Sequence, residues 1–132
     1  MNSAKIVISA SILVCLAAST AVAADARFIK SLSRLDPQTR LEQVCDLAAV
    51  NQIGRNDRSM RPDRAKSDVI SSPRMRGNTL EGKGGAFRSK GVWYAFSFKC
   101  TTSADHLQVL SFTYKVGAPI PKTKWASYGL WD

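Results

Sequence analysis

The stretch VWYAFSFKC, Val92–Cys100, decides the fold. Val92, Tyr94, Phe96, Phe98 and Cys100 occupy alternate positions, with Trp93, Ala95, Ser97 and Lys99 between them. Side chains of a strand point to opposite faces with a period of two, so this is a strand with one strongly apolar face. HLQVLSFTYKV (His106–Val116) repeats the pattern through Leu110, Phe112, Tyr114 and Val116, and the polar TTSAD between the two reads as a hairpin loop. Short strands near Thr79–Gly82 and Ala86–Ser89 would complete an antiparallel meander.

An apolar sheet face needs cover, and the upstream sequence supplies a helix for it. Asp36-Pro37 is a helix start, because Asp can accept from free N–H groups and Pro at the first position forfeits no hydrogen bond. From there QTRLEQVCDLAAVNQI places Leu41, Val44, Cys45, Ala48 and Ala49 on one face. Gly54 is a natural terminator. A shorter helix, roughly Ala26 to Leu35, precedes it. Residues 55–76 lack a clean period; Pro62 and Asp63 could start a short helix reaching Ile70, ended by Pro73. In the tail, IPKTKWASYGLWD, a helical turn starts at Pro121 and ends at Gly129. Its Trp125, Tyr128, Leu130 and Trp131 are costly to leave in water and are read as closing the sheet, with an aromatic platform for sugar rings as the alternative.

The expected class is therefore α+β: N-terminal helices packed on a three- to four-stranded antiparallel sheet, with a short C-terminal helical turn. Cys45 falls on the apolar face of the helix and Cys100 on the apolar face of the strand. One disulfide between them is the simplest pairing, two free thiols being the alternative. Such a bridge closes a long loop, a stabilisation on the order of 4 kcal/mol in the chain-entropy model.

The first residues read as a secretory signal peptide: Lys5, an uncharged apolar run from Ile6 to about Ala18, and small residues Ala21-Val22-Ala23 at a cleavage site. Residues 1–23 are the expected leader and 24–132 a single small domain, periplasmic or secreted. Cys15 goes with the leader, and the apolar run falls short of the roughly 20 residues a bilayer requires, so the mature chain is expected to carry no transmembrane segment.

The 132 residues carry a net charge of +9, and the charge is uneven. Between Ala24 and Gly54 four basic residues balance four acids, whereas Arg55–Lys99 holds eleven basic residues and four acids. A concentrated cationic segment on an exported protein points to anionic partners, an envelope polymer or lipid headgroups, rather than to nucleic acid. Arg55, Arg58, Arg61 and Arg64 recur every third residue and would line one edge of a polyproline-like backbone, where their forks could grip phosphates or carboxylates. The competing reading is a solvated loop in which Asp57 and Asp63 pair with them. Arg74, Arg76, Lys83, Arg88 and Lys90 extend the field.

GNTLEGKG (Gly77–Gly84) approaches a phosphate-binding loop, with Gly82-Lys83 at the right spacing, but Gly84 stands where Ser or Thr would bind magnesium. A strand pattern, not a helix, follows it. The glycines are read instead as turns between short strands, with Lys83 exposed. Enzyme chemistry is sparsely supplied. His106 is the only histidine, its neighbours Ser103 and Asp105 sit on the same turn rather than converging on it, and Glu42 and Glu81 show no acid–base spacing. The chain is read as non-enzymatic, with no metal and no cofactor. The alternative function is a protein-interaction module docking a periplasmic partner through the aromatic tail or a sheet edge, and a hydrolase of envelope polymers ranks below both.

LDPQTRLEQVCDLAA (Leu35–Ala49), GAFRSKGVWYAFSFKC (Gly85–Cys100), VLSFTYKVG (Val109–Gly117) and the IP…W..YGLW tail together resemble the small exported bacterial family called domain of unknown function nine-thirty. The paired cysteines and closing aromatics carry the likeness, and Arg55–Arg64 lies outside it. The resemblance implies a Gram-negative, periplasmic setting and brings no activity, cofactor or catalytic residue with it.

Overall fold

The computed structural model describes residues 21–132. The leader expected over residues 1–23, Cys15 included, lies outside the described residues except for its last three positions. Two helices come first, α1 (Ala21–Leu32) and α2 (Pro37–Asn56). Asp36 caps α2 as its sequence suggests, its side chain accepting from Thr39 N at 3.0 Å, and Pro37 takes the first position. Leu41, Val44, Cys45, Ala49 and Ile53 form the buried stripe. The helix runs two residues past Gly54. Arg40 fixes α1 to α2: its guanidinium donates to the carbonyls of Leu32, Ser33, Leu35 and, across the molecule, Asp105.

Five strands follow: β1 (Pro62–Lys66), β2 (Arg74–Arg76), β3 (Thr79–Ser89), β4 (Val92–Thr102) and β5 (Val109–Pro119). All pairings are antiparallel, in the order β1-β3-β4-β5, with β2 also on β3. Strands β1 and β2 share one edge of β3, the first pairing with its far end at residues 86–89 and the second with its start at 79–81. The sheet thus has more strands than the three or four expected. The short helix expected from Pro62 to Ile70 is instead β1 and a loop, because the long free edge of β3 offers its backbone hydrogen bonds.

The two short strands expected around the glycines are one strand, β3. Gly82 pairs with Phe98 and Gly85 with Phe96, so Lys83 and Gly84 together face Ser97 in a bulge. Gly77 is a turn as expected, at φ 56° between β2 and β3, but Gly82, Gly84 and Gly85 are not. They are sites of close approach: a Cβ on Gly84 would overlap Ser71 Oγ and the Ser71 backbone N, and one on Gly85 would come within 2.7 Å of the Phe96 ring. The loop between β1 and β2 hangs on this bulge, Val69 N and Ile70 N both donating to Gly84 O at 3.1 and 2.8 Å.

Alternation along β4 assigns the two faces as the sequence suggests. Phe87, Tyr94, Phe96, Phe98, Phe112 and Tyr114 form a continuous row of ring contacts on the α2 side, with Leu41, Val44, Cys45 and Ile53 packed against the sheet there. The Cys45–Cys100 disulfide joins helix to sheet, with a Cα–Cα distance of 6.0 Å. Leu110 leaves that row: a register shift between Thr101 and Thr102 places it opposite no partner, and it is 67% exposed.

On the opposite face a second apolar cluster joins Ala86 and Trp93 to Ile120, Trp125 and Leu130 of the tail. The tail forms α3 (Lys122–Trp125) and a 3-10 turn (Ala126–Tyr128), ended by Gly129 at φ 66°. Both indoles are satisfied, Trp93 Nε1 donating to Trp131 O at 2.8 Å and Trp125 Nε1 to Ile120 O at 2.9 Å. The tail therefore does close the sheet, over half of one face. Among the described residues no helix is long and apolar enough to cross a membrane.

Candidate functional site

Past Gly84 the tail-side face is open. Its exposed half is a shallow concavity of about 900 Å³ lined by side chains from four strands and by Ser71 and Ser72. The strand register orders it into rows. Arg76, Thr79, Thr101 and Ser111 make one row across β2, β3, β4 and β5. Arg74, Glu81, Lys99 and Thr113 make the next, and Lys83, Ser97 and Lys115 the third, beside the bulge. Such rows lie about 7 Å apart along the strands and their members about 4.8 Å apart across them. Five basic groups thus surround a single carboxylate, with hydroxyls interleaved. Thr79 and Thr101 hydroxyls bond each other at 3.2 Å. Phe98 and Tyr114 contribute backbone to this lining, since their rings belong to the aromatic row beneath.

Of the nine basic residues singled out in the sequence, Arg74, Arg76 and Lys83 meet here. The others do not. Arg88 is committed to Asp63 through two hydrogen bonds, Nε to Oδ1 at 3.0 Å and a second nitrogen to Oδ2 at 2.7 Å, and it also lies over the Trp93 ring. Those bonds hold the Asp63 carboxyl below its usual range and raise Arg88 above its own. Arg64 sits 5.7 Å from the centre of the Trp131 ring, a cation–π position it shares with Lys66. Lys90 forms the exposed β3–β4 turn with φ 52°. Arg55, Arg58 and Arg61 gather around a smaller depression at the end of α2, with Gly54, Met60 and Pro62. Arg61 N donates to Ser89 Oγ, so this second group lies by the opposite end of β3 from Glu81, on the order of 27 Å away along the strand.

The three-residue arginine repeat is therefore not a polyproline edge. Arg55 lies in the last turn of α2, Arg58 in the connection and Arg64 in β1, so the four line no single edge: Arg55, Arg58 and Arg61 meet around the depression, and Arg64 lies over Trp131. Sequence reasoning did not include Lys99 and Lys115 in the site. Their signal was available in the alternation, for both occupy polar positions of strands whose other positions are aromatic. The pairing that brings them opposite Glu81 and Ser97 is visible only in the register.

His106 is 6% exposed, with Nδ1 donating to Pro37 O at 2.8 Å and Nε2 3.2 Å from Asn78 Oδ1. It ties the β4–β5 loop to the start of α2 and to the β2–β3 turn. Ser103 Oγ is bonded to Asp105 Oδ1 at 2.6 Å, which lowers that carboxyl below its usual range. Asp46, half-buried on α2, has its carboxyl pushed up to about 7 by burial, against the opposing pull of Ser67. Its Oδ1 has no hydrogen-bond partner among the described residues. It faces β1, away from the concavity. Among the described residues no group of three His, Cys, Asp or Glu could hold a metal.

No curated protein and no solved structure matches the chain. A family model does, over residues 32–130, which contain α2, every described strand, both cysteines of the disulfide and the tail through Leu130. On that match the chain belongs to the family described as Domain of Unknown Function (DUF930).

Proposed function

We propose that this is an exported, envelope-associated, non-enzymatic domain that holds an anionic envelope component on the open sheet face. The observation that carries the reading is the convergence of Arg74, Arg76, Lys83, Lys99 and Lys115 from four strands around one carboxylate. Like charges brought together on a rigid surface repel one another, and a bound anion relieves that repulsion. Two observations support export: the leader pattern of residues 1–23, and a disulfide of the kind that persists in oxidising compartments.

The test is co-sedimentation of the oxidised protein with cell-envelope fractions at low and high salt. Two triple variants run alongside it, Lys83→Ser/Lys99→Ser/Lys115→Ser and Arg55→Ser/Arg58→Ser/Arg61→Ser. Binding should fall with salt and with the first variant, and persist in the second. Salt-insensitive binding, or binding kept by the first variant and lost by the second, would overturn the assignment of this face.

A second reading has an observation of its own. Strand β5 ends the sheet order, so its outer edge is unpaired in the described structure, and Leu110 and Val116 on it are exposed. That edge would accept an added strand from a protein partner. The aromatic tail is less suited to the purpose, because Trp125 and Leu130 are spent on the core.

A further inference from the structure

A face built only to attract anions has no use for a carboxylate at its centre. Glu81 stands in the middle row, directly across from Arg74 on one side and Lys99 on the other. Cross-strand neighbours of opposite charge are placed to attract, yet among the described residues neither cation forms an ion pair with Glu81. Its carboxylate is exposed and has acceptor capacity to offer a ligand. It repels any polyanion that lays charge along the whole row, and it accepts from a ligand that carries hydroxyl groups between its charges.

We infer that Glu81 makes this face selective for a polyhydroxylated acidic glycan over a bare polyanion. The inference rests on the reading of the face as an anion site and names what that site distinguishes. Arg74, Lys83, Lys99 and Lys115 take the carboxylates or phosphates of the glycan, and Glu81 takes sugar hydroxyls between them. Ser97 and Thr113, one on each side of the Lys99–Lys115 pair of positions, add hydroxyls that both donate and accept. The shape agrees. Four strands give a shallow surface about 15 Å across, suited to a chain lying over it. Selectivity built by a repulsive group placed among attractive ones is a common route to discrimination.

The experiment compares two probes of equal charge number at one ionic strength, polygalacturonate and inorganic polyphosphate, by titration calorimetry with the oxidised protein. Wild type should bind the polyuronate about tenfold more tightly, the scale of one hydrogen bond to a charged group. Glu81→Gln should erase most of that preference by strengthening polyphosphate binding and weakening polyuronate binding, with an unchanged melting temperature. Equal affinity of wild type for both probes, or a Glu81→Gln gain of the same size for both, would overturn the selectivity while leaving the anion face standing. Wild type that binds neither probe, or a Lys83→Ser/Lys99→Ser/Lys115→Ser variant that still binds both, would overturn the anion face and this inference with it.

Discussion

One side of the sheet carries two halves that share β3, β4 and β5, with β2 added at the edge of the open one. Toward Ser89 and Val92 it is dry: Trp93 and Ala86 are 0% exposed beneath Ile120, Trp125 and Leu130. Toward Thr79 and Thr101 it is charged and open. The boundary is the bulge at Lys83–Gly84, where the loop from β1 hangs by two hydrogen bonds to Gly84 O. That loop serves both sides, Val69 packing into the apolar cluster while Ser71 and Ser72 line the concavity. The difference between the halves is one of side chains, not of backbone. Small and aromatic residues recruit the tail, whereas Arg, Lys and Glu would have to be desolvated beneath any cover, which is costly unless each is paired.

The largest way to break this contrast is Trp93→Ala. It removes the centre of the dry half and leaves the tail nothing to cover, and should cost about 3–5 kcal/mol in denaturant unfolding. A loss below about 1 kcal/mol would mean that the tail does not seal the sheet.

Next comes the contrast between a carboxylate in the open and one under cover, Glu81 against Asp46. The folded state holds the Asp46 proton to about 7, whereas the ordinary value is 3.8. Its folded affinity for the proton is thus raised, so its contribution is fully present below pH 4 or so and is lost as pH rises through 7. Asp46→Asn, neutral at every pH, should match wild type near pH 4 and exceed it by roughly 2–4 kcal/mol at pH 8. Parallel stability–pH curves for the two proteins would remove burial of this carboxyl as the cause.

The boundary itself is tested by Gly84→Ala. The added methyl group must displace the Ser71 backbone, at a cost of about 1–3 kcal/mol. Because the displaced loop borders both halves, amide exchange should quicken at Val69 and Ile70 together. Protection unchanged at both would mean that the loop is not held by the bulge.

The smallest effect on stability belongs to the open half. Lys99→Ser/Lys115→Ser should change unfolding free energy by no more than about 0.5 kcal/mol per site, and relief of repulsion favours a gain. The same pair should flatten the salt dependence of the anion binding proposed for this face. A large loss of stability would show these lysines to be structural.

How much of this was legible follows from which forces act locally. Asp36-Pro37, the stripe from Leu41 to Ala49, the alternation from Val92 to Cys100 and the turn from Pro121 to Gly129 all express their structure through near neighbours in sequence. The α+β class and the Cys45–Cys100 pairing could be read from them. Pro62–Lys66 could not, because its strand conformation comes from the edge of β3 and not from its own propensity.

The site divides the same way. Composition located the cationic surplus between Arg55 and Lys99, but charge count carries no direction. Arg88 is spent on Asp63, Arg64 and Lys66 lie over Trp131, and Arg55, Arg58 and Arg61 turn to the far end of the sheet. Lys115, well beyond the basic segment, joins the face because β5 pairs with β4. The sequence by itself determined α2, β4, β5 and the closing turn of the tail, since helix periodicity, strand alternation and capping act over a few residues. Tertiary structure alone decided which charges share a surface, because that depends on strand register and on where the tail folds back, both set by packing between residues distant in the chain.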